Sequence, residues 1–544
     1  MVILIYHLTM RRLLLVTVPL ALVLGAAFAI GGRPAGHPQA LGTAPYDLII
    51  AGGRVLDGTG NPWFRADIGI RDGRIAALGD LSGAAASRTI DARDRHVTPG
   101  FIDVHSHAAT GLQRTGLQQG QPMLAQGVTT VVVNPDGGGP LDLAAQRAEL
   151  EALGIGVNVV PLIGHATVRS EVLGMDDRAP AADELRRMQA MVRQAMEDGA
   201  FGLSSGLFYA PGSYAATEEV IALAEVAAEY GGVYTSHIRD EADYSVGLVA
   251  AVDEVIRIAE EAGLRGIVSH MKALGPDSWG LSETALAHID AARSRGVEVF
   301  TDQYPYDASS TSLTGALVPR WAQVGGRDEL LARIGDPDIR PRLLAEVTEN
   351  IRRRGGPDAL VIAQYEAEPA LEGSSLADVA RQRGMPPPEA ALALIARAGV
   401  SIVSFNMSED DIERIMRQPY TMTCSDGGLV FATEGRPHPR NYGAFARKIE
   451  RYAGQRGTVG LEFAIRSMTS LPATVFGLTD RGVIRQGAWA DIAIFDPAAV
   501  HEAGTYQDPH RLAEGVDEVL VNGVVVVDGG RFGAALPGRV LVRQ

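Results

Sequence analysis

The sequence predicts an α/β fold: a (β/α)8 TIM-like barrel, a small β-sandwich built from both chain ends, and an inserted helical subdomain. Three observations carry this. The middle of the chain alternates short apolar strands with amphipathic helices. Both ends repeat a pattern of brief strands and Gly/Asp turns. The seventh and eighth barrel strands are unusually far apart.

Residues 1–36 contain Arg11-Arg12, an apolar run over 13–30 and a Gly/Pro-rich linker. Positive charge, an apolar stretch and Ala27-Phe28-Ala29 read as an export signal. The run also reaches the ~17 residues that an uncleaved membrane anchor needs. The expected location is therefore the periplasm or the outer face of a membrane, with a tether through this segment. Residues 45–98 form one half of the sandwich, through short strands over 46–57 (YDLIIAGGRVLD), 67–78 and 89–94. Residues 481–544 form the other half, through 490–496 (ADIAIFD) and 519–528 (VLVNGVVVVD). Two such segments share a domain when the unit between them closes with its termini together.

That unit spans 99–480. Its strands are expected at 100–104, 129–133, 157–162, 201–204, 232–236, 266–269, 297–301 and 421–424. Helices such as 182–197, 217–229 and 245–262 lie between them, with apolar residues at i, i+3, i+4 spacing. Residues from about 313 to 402, mostly helical (338–353, 375–383, 388–398), fill the long gap as an insertion. A barrel of this kind keeps its chemistry at the carboxyl ends of its strands.

Composition narrows the function. The 544 residues carry 49 basic and 65 acidic side chains, a formal net charge of −16, which speaks against a nucleic-acid partner. Apolar content of 46% and 21% charged residues are those of a globular protein. A single cysteine, Cys424, excludes an intrachain disulfide or a CxxC site, and inside the eighth strand it reads as a buried inert thiol. Only two of the basic residues are lysines, Lys272 and Lys448. No feature specifies an oligomeric state.

His105-Ser106-His107 follows the first barrel strand, GFIDV. In extended backbone, positions i and i+2 face one side, so both imidazoles point into the barrel mouth. An HxH alone says little. However, His237 and His270 each end another apolar strand (GGVYTSH and GIVSH), and Asp426 ends the last (TMTCSD). Four histidines and an aspartate at the same ends of barrel strands are a metal-site pattern rather than a packing pattern. His165, ending PLIGH, reads as a supporting residue rather than a ligand. His7, His37, His96, His288, His501 and His510 have no such placement.

PGFIDVHSH, the two single-histidine strands and the late SD resemble the metal-dependent amidohydrolase superfamily. GAFGLSSGLFYAPG, YGGVYTSHIRDE, DQYPYDASSTSL and EGRPHPRNYGAF resemble, more narrowly, the N-acyl-D-amino-acid deacylases (D-aminoacylases), from about Tyr46 to the carboxyl terminus. The resemblance implies a centre with one or two Zn2+ ions. It places His105, His107 and Asp426 around the more buried metal position and His237 and His270 around the other, with Asp426 as general base and then acid. It also places substrate groups at Tyr209, Lys272, Tyr304 and Ser310, where an ammonium and hydroxyls suit an α-carboxylate. The His438-Pro439-Arg440 loop adds Arg440 as a substrate contact.

The chain departs from these relatives in two ways. The fourth strand, FGLSSG, lacks the bridging lysine of many superfamily members. The deacylase cysteine after the second strand, in a VVVGNCG motif, is replaced by Asp136 in VVVNPDG. Asn134-Pro135-Asp136-Gly137 is good turn chemistry. Asp136 nevertheless stands level with the histidines and is read as a metal ligand bridging two cations. The expected reaction is zinc-dependent hydrolysis of small N-acyl-D-amino acids to a carboxylate and a D-amino acid. The alternatives are a hydantoinase-like cyclic-amide hydrolase, against which the missing strand-four lysine argues, and a non-catalytic membrane-tethered binding homologue.

Overall fold

The computed structural model describes residues 46–543, so the apolar run over 13–30 lies outside the described residues. Among the described residues, no helix is long and apolar enough to cross a membrane.

Eight parallel strands succeed one another: Phe101–Asp103, Val128–Val133, Asn158–Pro161, Gly202–Gly206, Val233–His237, Arg265–Val268, Val299–Gln303 and Thr421–Thr423. The third is interrupted at Leu162 and resumes as Ile163–Gly164, which pairs with the fourth. The ring closes between the eighth and first strands. There the Asp426 N–H donates to the His105 carbonyl (2.9 Å), the Ser425 N–H donates to Asp103 (2.9 Å), and Ser106–His107 pairs with Gly427–Gly428. Val131, Val132 and Val133 have no exposure, as expected of parallel strands covered on both faces. The helix Leu248–Ala262 shows why the intervening segments are helical. Leu248, Ala251, Val252, Val255, Ile256 and Ala259 form its buried stripe, and Gly263, at φ +69°, ends it in the left-handed conformation.

Strands from the two ends of the described chain share one nine-stranded sheet. His96–Pro99 pairs antiparallel with Ile492–Phe495, and Ile50, Ile68, Ile492, Ile494 and Leu520 form its core. Between the seventh and eighth barrel strands lie the helices Arg327–Gly335, Arg340–Arg353, Leu376–Arg383 and Pro387–Arg397. They pack around a core of their own that includes Leu343, Val347, Leu376 and Leu394. This insertion also holds a three-stranded antiparallel sheet, Ala308–Ser312, Ser401–Phe405 and Leu360–Gln364, beyond the helices read from the sequence. The strand ASSTS has no apolar alternation. It is held by backbone pairing to Ser401–Phe405, so its pattern alone does not declare it a strand.

Candidate metal centre

All six expected ligands converge at the carboxyl mouth of the barrel. His105, His107, Asp136 and Asp426 present ligand atoms within 4.8 Å of one another, and so do Asp136, His237 and His270. Asp136 belongs to both groups. Its Oδ1 lies 3.3 Å from His105 Nε2, 3.5 Å from His270 Nε2 and 3.9 Å from His237 Nδ1, and its Oδ2 lies 3.4 Å from His107 Nε2. Asp426 Oδ1 lies 3.2 Å from His107 Nε2 and 3.6 Å from His105 Nε2. Burial does not divide by group, because His105, at 1% exposed, is as buried as the single-strand histidines. The His107 side chain is 42% exposed, whereas His237 and His270 are at 7% and 2%. His107 sits in the short strand pair at the barrel seam, on the open side of the mouth, while the other two end strands within the closed wall.

The second-strand loop is a turn that also presents the Asp136 carboxylate to the cluster. Asn134, Asp136 and Gly137 all have positive φ (+61°, +55° and +76°), the conformation Asn, Asp and Gly tolerate best. The fourth strand braces this loop instead of supplying a lysine. Ser204 Oγ donates to the Asn134 carbonyl (2.7 Å) and accepts from the Gly137 N–H (3.2 Å). A Cβ at Gly206 would come 2.3 Å from the Asp136 carbonyl oxygen, so only glycine fits there. His270 and Asp426 also have positive φ, +35° and +49°. The His270 N–H is held by Asp302 (2.7 Å), and the residues beside Asp426 by Asp103. Strained backbone anchored by buried carboxylates fixes the direction of both side chains.

The donors fit a divalent cation. His105 Nε2, Asp136 Oδ1 and both His237 ring nitrogens are buried without a hydrogen-bond partner. Each such group costs about 1–3 kcal/mol when left unpaired, and a shared cation satisfies several at once. Burial pushes His237 down to about 3, which leaves a neutral ring with a free lone pair. At His270, burial and Lys272 oppose protonation, yet Asp426, Asp136 and Glu241 raise it to about 10. The carboxylates thus demand positive charge between the rings. Imidazole and carboxylate donors suit zinc, although a carboxylate is harder than the thiolate of the resembled family.

Glu241, absent from the sequence reading, stands behind the centre. Its Oε1 lies 3.1 Å from His270 Nδ1 and accepts from Lys272 Nζ at 2.5 Å, and Lys272 Nζ is 2.7 Å from the same His270 nitrogen. Burial alone would raise the Glu241 carboxyl, but Lys272, His237 and His270 bring it well below the usual carboxylate range, so it is ionised. Carboxylates in this position orient a ligating imidazole. Lys272 lines the cavity with its ammonium paired to Glu241. The DE of SHIRDE was the available signal for Glu241. The four residues from His237 to Glu241 return this side chain to the same space.

Arg440 takes the more central place. It is 5% exposed, its Nη1 lies 2.7 Å from Asp426 Oδ2, and its Nη2 reaches toward the Ser310 carbonyl at 3.5 Å. His438 positions it, with Nδ1 accepting the Arg440 N–H (3.0 Å) while Nε2 faces the Ala308 carbonyl (2.9 Å). Tyr304 offers its ring rather than its hydroxyl. The Arg440 guanidinium lies 4.6 Å from the ring centroid, while the hydroxyl faces Met407 Sδ at 3.6 Å. Tyr209 packs 4.7 Å from the His237 ring and bonds Thr311 Oγ1 at 2.8 Å. Ser310 lines the same cavity of about 410 Å3. His165 turns away to Glu219 (2.9 Å) in a buried cluster with Arg169, and Cys424 is buried, as expected.

Two carboxylates and four imidazoles open to a cavity at a barrel mouth, with a buried arginine gripping one of the carboxylates, define a metal-dependent barrel hydrolase. Residues 88–527 match the Amidohydrolase family, and the chain belongs to it. An N-acyl-D-glutamate deacylase of Alcaligenes xylosoxydans xylosoxydans is 38% identical over 92% of this chain and 97% of its own. A crystal structure of N-acyl-D-glutamate deacylase from Bordetella bronchiseptica, complexed with zinc and a phosphonate mimic of the tetrahedral intermediate, superposes with TM-score 0.79. That protein is 38% identical, over 92% of this chain and all of the other. A D-aminoacylase structure addressing a binuclear metal centre, with one-metal activation and second-metal attenuation, matches with TM-score 0.78 at 34% identity and the same coverage.

Proposed function

We propose that this chain is a zinc-dependent N-acyl-D-amino-acid deacylase that hydrolyses the amide to a carboxylate and a D-amino acid. The carrying observation is Asp426, which faces the donor cluster with one oxygen and grips Arg440 with the other. The relatives named for this reaction, and the zinc-phosphonate complex of one of them, support the reading. Zinc, when bound, supplies a Lewis acid that polarises a carbonyl and acidifies water. His105, His107, Asp136, His237, His270 and Asp426 would hold up to two ions, with Asp136 shared. Asp426 takes a proton from the attacking water and returns it to the leaving amine. Burial alone would raise its carboxyl, but Arg440, His270 and His107 hold it well below the usual range, so it begins as a base.

The unpaired donors of Arg440 and the hydroxyl of Ser310 receive the α-carboxylate on the side of Asp426, and the Tyr304 ring holds the Arg440 guanidinium in place. With the carboxylate, the scissile carbonyl and the side chain each placed, the opposite enantiomer must misplace one of them. Misorientation can forfeit up to about 7–11 kcal/mol of proximity advantage. Kinetics of the zinc-loaded enzyme on matched N-acyl-D- and N-acyl-L-amino acids test the proposal. Strong D preference is expected, and equal kcat/KM for the two series refutes it. The Arg11-Arg12 motif and the run over 13–30 support export or tethering outside the cytoplasm. Recovery of the full-length chain in the soluble cytoplasm of its host would overturn that part.

A further inference from the structure

A second cavity, of about 500 Å3, lies where the insertion helix Arg340–Arg353 meets the barrel. Ser213, Arg239, Tyr244, Arg320, Glu346 and Arg353 are among its lining residues, and none of them lines the catalytic cavity. Most charges in this second cavity are already matched. Arg239 is paired with Glu254 (2.7 Å), Arg353 with Asp243 (3.0 Å) and Glu349 with Arg352 (2.7 Å). Glu346 accepts from Arg342 Nε (2.8 Å) and from Trp321 Nε1 (2.9 Å).

Arg320 is the exception. Among the described residues it makes no salt bridge, and its guanidinium reaches only the Gly315 carbonyl, at a long 3.4 Å. Asp240 acts on it from a neighbouring loop, but that carboxylate is taken up by the N–H groups of Ala242, Ser245 and Gly247. Burial pulls the Arg320 guanidinium below its ordinary pKa, as expected of a cation with no anion beside it. Ser213 Oγ is also buried without a hydrogen-bond partner. A guanidinium with free donors and an orphaned hydroxyl on one cavity wall suit a carboxylate.

A single aromatic ring joins this cavity to the catalytic one. The Arg320 guanidinium lies 3.9 Å from the ring centroid of Phe208, which lines the catalytic cavity. The Phe208 ring lies 5.6 Å from the ring of His237, one of the metal-site histidines, and 5.2 Å from the rings of Tyr209 and Tyr244. Tyr244 in turn accepts from Nε of Arg354, a catalytic-cavity residue, at 2.7 Å. An anion that draws Arg320 off Phe208 removes a cation–π contact from the ring that packs on His237.

We propose that the second cavity binds a small carboxylate at Arg320 and Ser213, and that its occupation slows turnover by loosening Phe208. The source of the carboxylate rests on the deacylase reading above. Hydrolysis of an N-acyl-D-amino acid releases two carboxylates, the acyl product and the D-amino acid, and either carries the recognised group. The cavity is then a feedback site, separate from the place where the substrate reacts.

Inhibition of the zinc-loaded, full-length enzyme by acetate and by D-leucine, with N-acetyl-D-leucine as substrate, tests this. At least one product should lower kcat by roughly 5-fold at saturation, the low end of typical coupling between sites, in a way that excess substrate does not relieve. The product that does so identifies the source. Arg320→Met keeps an apolar contact with Phe208 but cannot hold an anion. It should lose the effect on kcat while keeping competitive inhibition at the catalytic cavity, which also shows that it is folded. Arg320→Lys should retain part of the effect, and Ser213→Ala should weaken it. Purely competitive inhibition by both products, or an effect on kcat that survives both Arg320→Met and Ser213→Ala, overturns the inference. If there is no turnover, the deacylase reading fails on its own. Equilibrium dialysis with radiolabelled acetate and D-leucine then decides the inference: loss of one bound carboxylate per chain in Arg320→Met sustains it, and unchanged binding ends it.

Discussion

Asp136→Asn isolates the charge of the shared carboxylate from its shape. Asparagine tolerates the left-handed backbone at this position (φ +55°), so the turn survives, whereas alanine would add about 1–2 kcal/mol of strain. Asp136 Oδ1 lies 3.3–3.9 Å from His105, His270 and His237, so a cation held by these donors lies within about 4 Å of the carboxylate. A unit charge at ~4 Å, in surroundings of effective dielectric ~20, is worth about 4 kcal/mol per unit of cation charge. For a divalent cation that is about 8 kcal/mol, an upper limit of about 10⁶-fold in metal affinity, which the remaining coordination by the asparagine oxygen reduces. The assay is zinc competition against a chromophoric chelator, with elemental analysis after dialysis and a thermal melt to confirm folding. The expected result is a folded protein with reduced metal content and activity, and partial recovery of zinc binding in Asp136→Cys, where a thiolate returns the charge. An Asp136→Asn protein with its full metal complement and wild-type activity would refute the bridging argument and leave Asp136 a turn residue.

Asp426→Asn should keep the fold but lower kcat by about 10²–10⁴, since an amide cannot accept the water proton; half the wild-type kcat would show that another group is the base. Glu241→Gln should weaken metal binding by about 10–100-fold by loosening His270 and freeing Lys272, and unchanged zinc competition would contradict this. Lys448 is 2% exposed and donates to the Thr423 and Ser467 hydroxyls (2.8 Å each), and burial pushes it down to about 7 from an ordinary 10.5. The folded chain therefore binds fewer protons than the unfolded chain between those values. Stability should rise with pH across that window by up to about 1.4 kcal/mol per unit from this group. In Lys448→Met that contribution should vanish; identical slopes of the denaturation midpoint against pH in the two proteins would remove Lys448 as its cause.

The amino-acid order alone determined the alternation of strands and helices, the pairing of distant chain ends and the convergence of six ligands. These follow from local rules. Strand length, apolar runs and the period of two bring His105 and His107 to one side, and a parallel barrel presents every strand's carboxyl end at one mouth. Asp136 was legible because its position after the second strand outweighed its good turn chemistry, and the left-handed turn there sets its carboxylate among the histidines. The small sheet of the insertion was hidden because serine-rich ASSTS carries no apolar signal. Tertiary structure alone decided which charges are spent. Lys272 meets Glu241 across 31 residues, Arg440 reaches Asp426 from a loop beyond the last strand, and Arg354 meets Tyr244 across 110 residues while keeping a donor unused. No periodicity encodes such pairs. Salt-bridge partners are set by where rigid elements come to rest, and only the folded packing reveals which cation is left without an anion.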